Sequence, residues 1–338
     1  GQSSVDGIMM AFDEINAAGG IDGKMIEPIQ ADNKSEASEA TSVATKLITQ
    51  DGVVALLGPA TSGNFKAQEP VATKNGIPMI SASATADDVT VADGSVREFV
   101  FRLCFNDSFQ GTAMANFAAR NLTAKNAVII KDNSSDYGKG LAVAFTEQFT
   151  KEGGTIVAEE GYVAKDLDFN AILTSIKGKN FDVIFIPGYY QEAGLIIKQA
   201  RALGITAPIL GADGFDSPTL LELAGAEALN DVYFSNHYSS LDQDPAVLKF
   251  IEGFKAKYNS EPNAFHALGY DLGMFIADAV KRAGSADPAA VKDALAGTTE
   301  FAGVTGSFSM GEDHNPVKSV VVIELADGVQ AASIKVGP

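Results

Sequence analysis

"ALLGPATSGN" (55–64) and, eleven residues further on, "NGIPMISASAT" (75–85) decide the fold. Each carries a short apolar run into a loop of small and hydroxyl residues, and the intervening segment has the length of a helix. Apolar runs without alternation suit strands buried on both faces, as in a parallel sheet. A related pair occurs later in the chain, as "IFIPGYYQEAG" (184–194) and "LGITAPILGADG" (203–214). Gly58 and Pro78 are spaced as Gly188 and Pro208 are, and Ser83 follows Pro78 as Asp213 follows Pro208. The grammar of strand, glycine loop, helix, Gly-Ile, proline, strand and polar loop is therefore used twice, and the chain consists of two similar halves.

Working outward, Val5, Ile8, Met9, Phe12 and Ile15 recur at helical spacing until Gly19-Gly20, which predicts a helix over 3–18. "MIEPIQAD" (25–32), "GVVALLG" (52–58) and "GIPMISA" (76–82) read as strands, with a helix over 35–50 between the first two. Alternation of helix and strand implies a doubly wound α/β sheet with helices on both faces. The repeat extends upstream: Gly153-Gly154, after a helix around 139–152, matches Gly19-Gly20, and "DYGKG" (136–140) matches the opening "GQSS". The strand and loop "NAVIIKDNSSDY" (126–137) have no counterpart in the first half, so the first strand of the N-terminal lobe is expected to be absent from this sequence.

The 338 residues suffice for two domains with real cores. Twenty-five Lys and Arg against 43 Asp and Glu give a net charge of −18, which repels a phosphate backbone and excludes nucleic acid as an expected partner. The lone Cys104 cannot form an internal disulfide, and its apolar surroundings (101–105) predict a buried packing role. His237, His266 and His314 are far apart and read as structural or surface residues; no metal-ligand cluster, GxxxxGK[ST], GxGxxG or GxSxG motif occurs. No metal and no cofactor is expected.

Ligands of parallel sheets bind beyond the carboxyl ends of the strands. The repeat thus predicts two half-sites: Thr61, Ser62, Ser83 and Thr85 in one lobe, suited to a carboxylate, and Tyr137, Tyr189, Tyr190 and Asp213 in the other, suited to an ammonium. Hydroxyls in such turns also cap helices without a ligand, and Asp213 in "ADGFDS" also fits an Asx-turn.

"DEINAAGGIDGK" (13–24), "LLGPATSG" (56–63), "PMISASAT" (78–85), "SSDYGKG" (134–140) and "PGYYQEAG…LGADGF" (187–215), in this order, resemble the periplasmic amino-acid-binding proteins of the leucine/isoleucine/valine type, substrate-binding components of ABC importers. The resemblance covers essentially the whole chain. It implies two Rossmann-like lobes, 1–103 with 237–316 and 104–236 with 317–338, joined by three hinge crossovers and closing like a flytrap. It further implies that Ser62 and Thr85 bind the ligand α-carboxylate, that Ser83 offers its backbone carbonyl to the α-ammonium, and that Asp213 is the main ammonium partner. Tyr137 and Tyr189 would cover the ligand, and Phe265 would touch its side chain. Relatives carry Glu where this chain has Asp213, which makes another small zwitterion such as a γ-amino acid the alternative to an aliphatic one. The implied partners are an amino acid and a membrane permease. The implied protein is a monomer in the periplasm or a lipoprotein on a Gram-positive cell surface. Competing readings are an enzyme on the same scaffold, for which the sequence offers no nucleophile or cofactor loop, and the sensing domain of a receptor.

Overall fold

In a computed structural model describing residues 1–337, the chain forms two compact units. Unit 1 comprises Gly1–Asn106 and Gln243–Lys318; unit 2 comprises Asp107–Asp242 and the chain from Ser319 onward. The passages therefore fall after Asn106, Asp242 and Lys318, whereas the sequence placed them after 103, 236 and 316. Local bonds account for the difference. Cys104 Sγ donates to Ala84 O (3.4 Å) and Lys318 Nζ bonds Thr305 Oγ1 (2.5 Å), which holds both in unit 1. His237 pairs with Asp213, and Ser239 and Ser240 bond Gln330, which holds 237–240 in unit 2.

Unit 1 begins with α1 (Gln2–Ala17), whose buried Ser4, Gly7, Ile8, Ala11 and Phe12 form one helical face. Gly19 and Gly20, with φ of 104° and 76°, end it in a turn that disfavours any other residue. Its partner is the late helix of the unit, and small residues let the two backbones touch. A Cβ on Gly7 would lie 2.1 Å from His266 O, and one on Gly269 would lie 2.1 Å from Ser4 O. Next come α2 (Ala37–Thr49), β1 (Leu56–Leu57), α3 (Ser62–Ala67), α4 (Glu69–Lys74), β2 (Met79–Ser81), the hairpin β3 (Val91–Ala92) and β4 (Ser95–Val96), and β5 (Val100–Arg102). β1, β2 and β5 make a parallel sheet in that order, with Leu56 opposite Met79 and Met79 opposite Val100.

Residues 25–32, expected as a strand, form none. A strand exists through its ladder, and here a side chain takes the place of the neighbouring backbone. Asn16 donates to Ile26 O (2.9 Å) and accepts from its N–H (2.8 Å), while Met25 and Ile29 face solvent.

Unit 2 follows with α5 (Asp107–Asn116), which runs into one π-helical turn over 117–121, then β6 (Asn126–Asp132), α6 (Asp136–Lys151), β7 (Thr155–Tyr162), α7 (Asn170–Lys177), β8 (Val183–Phe185), α8 (Tyr190–Ala202), β9 (Ile209–Gly211), α9 (Pro218–Ala224) and β10 (Val232–Asn236). The chain then supplies unit 1 with α10 (Pro245–Tyr258), α11 (Ala264–Ala283), α12 (Pro288–Ala296), β11 (Phe301–Gly303) and β12 (Gly306–Phe308). It returns to unit 2 as β13 (Val320–Ala326) and β14 (Val329–Val336).

The sheet of unit 2 has the order β14-β13-β10-β9-β8-β6-β7, parallel from β7 to β10 and antiparallel beyond. Successive residues of its strands enter different cores: Val128 and Ile130 pack on one face, Ala127 and Ile129 on the other. Both faces are covered, as the unalternated apolar runs imply.

The internal repeat is real in the ladders, because β1 with β2 and β8 with β9 are equivalent parallel pairs. Ser83 and Asp213 each lie two residues past the strand end. The matched glycines are not equivalent, however. Gly58 N–H bonds Ile80 O, whereas it is Ile186 N–H, two residues before Gly188, that bonds Leu210 O.

Candidate functional site

In unit 1 the loops after β1 and β2 are stitched together by the residues the sequence singled out. Ser62, the first residue of α3, accepts the N–H of Ala86 at its Oγ (3.0 Å), and Ser83 Oγ donates to Ala60 O (3.0 Å). Ser81, which the sequence reading passed over, accepts from the N–H groups of Ser83 (3.3 Å) and Ala84 (3.0 Å) and donates to Pro59 O (2.9 Å). Ser62 therefore keeps its hydroxyl hydrogen, while Ser83 has spent its own. Thr61 caps α3 only by position; its Oγ1 accepts from Asn64. Thr85 is fully buried and its Oγ1 has no hydrogen-bond partner. Buried hydroxyls normally have one, and leaving one unpaired costs about 1–3 kcal/mol. A loop closed only for its own stability would not hold that group open.

In unit 2 the loops after β6, β8 and β9 converge on Asp213, which is 2% exposed. Its Oδ1 accepts from Tyr137 Oη and from Gln110 Nε2 (3.1 Å), and its Oδ2 accepts from His237 Nε2 (2.8 Å). A carboxylate only accepts, so Nε2 carries the proton in that bond. Gly214 N–H in turn donates to Tyr137 Oη (2.9 Å). Gly214 must be glycine there, because a Cβ would meet Gly188 O at 2.8 Å and Tyr137 Oη at 3.1 Å. Tyr189 stacks on Tyr137 with ring centroids 4.8 Å apart and planes 14° from parallel. Burial, with the charges of Asp213 and Asp107 added, pushes the Tyr137 hydroxyl well above its ordinary range, so it stays a donor. Three of the roughly four acceptor positions of the carboxylate are filled by donors of its own unit, which fixes its orientation and leaves room for one more.

Geometry of this kind selects and orients; it holds a fixed carboxylate in one unit and a recessed hydroxyl in the other. Residues 1–330 match the family described as periplasmic binding protein. The chain belongs to that family. It is similar to LivJ of Streptococcus pneumoniae, a branched-chain amino-acid transporter substrate-binding protein solved with isoleucine, at 45% identity and a TM-score of 0.95, covering 100% of this chain and 95% of that one. The leucine-binding protein LivK of Thermotoga maritima is similar at 37% identity and a TM-score of 0.94, with 100% and 94% covered. The leucine-, isoleucine-, valine-, threonine- and alanine-binding protein of Pseudomonas aeruginosa is 30% identical over 307 residues, 90% of this chain and 80% of that protein.

As a periplasmic binding protein the chain has a solute-binding role in an extracytoplasmic family, and its two lobes are the family's fold. Among the described residues no helix is long and apolar enough to cross a membrane. The sequence-derived candidates sort by unit: Ser62, Ser83 and Thr85 come together in unit 1, and Tyr137, Tyr189 and Asp213 in unit 2. Tyr190 is the first residue of α8 and Tyr189 its N-cap. Phe265, the second residue of α11, is half-buried, and its N–H donates to the Oδ1 of Asn263.

Sequence reasoning missed Gln110 and His237. Gln110 is a hub, since its Oε1 accepts from Ser235 Oγ (2.8 Å) and the Asp213 N–H (3.4 Å), while its Nε2 also reaches Asp107 Oδ1 (2.9 Å). His237, read from sequence as a structural or surface residue, lies directly on the candidate ammonium partner.

Proposed function

We propose that this chain captures an aliphatic branched-chain amino acid outside the cytoplasm and delivers it to the membrane permease of an ABC importer. Unit 1 takes the ligand carboxylate with the Thr85 hydroxyl and the free hydrogen of Ser62. Unit 2 takes the ammonium with Asp213 under a cover of Tyr137 and Tyr189. Ser83 adds its backbone carbonyl to the ammonium, and Phe265 faces the side chain. Two observations support the reading, each within its own unit: a buried, unpartnered Thr85 Oγ1 in unit 1 and, in unit 2, a carboxylate fixed by three donors. A molecule bearing both charges satisfies both units, and the relatives named above bind such molecules. The protein acts as a monomer, free in the periplasm or anchored to the surface of a Gram-positive cell.

The test is isothermal titration of ligand-stripped protein with the twenty common amino acids and γ-aminobutyrate. Tight one-to-one binding of leucine, isoleucine or valine is expected. Heat from γ-aminobutyrate alone would replace the ligand class with the shorter carboxylate's alternative, and silence across the panel in folded protein would overturn the reading.

A further inference from the structure

Arg102, the last residue of β5, is fully buried, yet among the described residues no carboxylate pairs with it. Its Nε donates to Asn315 Oδ1 (2.6 Å) and its Nη1 to Ala84 O (3.0 Å) and Ala86 O (2.7 Å), while its buried Nη2 has no acceptor. A guanidinium keeps its charge in a protein interior, and a buried charge without a counter-ion is costly. Sequence neighbours do not explain this choice, because a fold that needed only to close here would place an apolar residue on a strand buried at all three positions. The two carbonyls that Arg102 grips flank Thr85, the residue whose hydroxyl is also buried without a partner. Two orphaned donors thus belong to the same stretch of loop and the strand residue that holds it.

We propose that Arg102 is the positioning residue of the carboxylate half-site: it braces the Thr85 loop through Ala84 and Ala86 and supplies the fixed positive charge that the ligand carboxylate neutralises. This rests on the function proposed above. Asn315 completes the brace, since its Oδ1 also accepts from Thr90 Oγ1 (2.8 Å) and so aligns the guanidinium. An arginine fits where a lysine would not, because its planar fork reaches two carbonyls and an amide oxygen at once.

The test compares isoleucine with isoleucinamide, which keeps the ammonium and lacks the carboxylate charge, in wild type, R102Q and R102K. Wild type should prefer isoleucine strongly. R102Q should lose at least tenfold on isoleucine and far less on the amide, so that the ratio of the two affinities collapses. R102K, which keeps the charge and loses the fork, should weaken isoleucine binding to an intermediate degree and decides alone if R102Q does not fold. A purely structural arginine would weaken both ligands alike. An unchanged ratio in R102Q, or wild-type isoleucine affinity in R102K, overturns the assignment. Absence of amino-acid binding by wild type would instead defeat the proposed function.

Discussion

At Thr85 a binding site and a folding device predict different things. A capping or turn-forming threonine bonds its own loop, whereas Thr85 Oγ1 bonds nothing in a fully buried position. Thr85→Val keeps the shape and removes no intramolecular bond. It should leave the stability of the unliganded protein unchanged or slightly raised, while ligand affinity falls about tenfold, or about 1.4 kcal/mol; denaturant melts and titration calorimetry measure the two halves of the statement. Asp213→Asn keeps the size of the side chain and places an N–H₂ where one oxygen met a donor. Ligand binding should weaken by about 2–5 kcal/mol, as for loss of a buried charge partner, and calorimetry that found wild-type affinity would remove Asp213 from the ammonium role. The sequence singled out Ser83 and Asp213 because the repeat put them at the same distance past matching strands, and Thr85 because it shares the loop of Ser83. Gln110, His237 and Arg102 were not legible in this way. Gln110 sits in a helix, Arg102 on a strand and His237 just past one; Gln110 meets Asp213 across 103 positions of chain, and no local pattern marks such a contact.

At the scale of elements, legibility followed whether the stabilising contacts were local. The helix expected over 3–18 is Gln2–Ala17, since apolar spacing and the closing glycines are written next to each other. The strand expected at 25–32 failed because its ladder would have had to come from elsewhere, and Asn16 occupies Ile26 instead. The start of α11 is another local device with a consequence for pH. Asn263 Oδ1 accepts from the N–H groups of Phe265 (3.0 Å) and His266 (3.1 Å), and His266 Nδ1 accepts from the Asn263 N–H (3.0 Å). Acceptance requires a neutral ring, and burial lowers the His266 pKa to about 4. An unfolded histidine takes its proton near pH 6.5. The unfolded chain therefore gains protons first as pH falls, so the stability contributed by His266 is complete above about pH 6.5 and is lost towards pH 4. The ring is partly exposed, so the loss should be about 1–2 kcal/mol rather than the full value of the shift. His266→Gln preserves the reciprocal cap with a side chain that does not titrate. The difference in unfolding free energy between variant and wild type, measured from pH 7 to pH 4, should grow in favour of the variant; a constant difference would show that His266 takes up its proton at the same pH in the folded and unfolded states.

For the whole molecule the relevant fact is that each unit buries its own cores, with the clusters around Ile80 and Met79 in unit 1 and those around Ile184 and Phe185 in unit 2. Each unit can in principle open on its own, and a ligand protects only what it touches. Binding to the native state adds RT ln(1 + [L]/Kd), about 2.7 kcal/mol at a hundredfold excess over Kd. If one amino acid engages both half-sites, isoleucine should slow amide exchange in the loops of unit 1 (58–64 and 83–86) and in those of unit 2 (187–190 and 213–215) by the same factor. That shared factor should rise with ligand concentration as calorimetric affinity dictates. In Asp213→Asn the protection should vanish from both sets of loops together at the same concentration, since neither charge of the ligand is then held well enough for the other to bind. Protection confined to one unit, in wild type or variant, would show that the ligand is held by that unit alone and that the other set of polar loops serves its own fold.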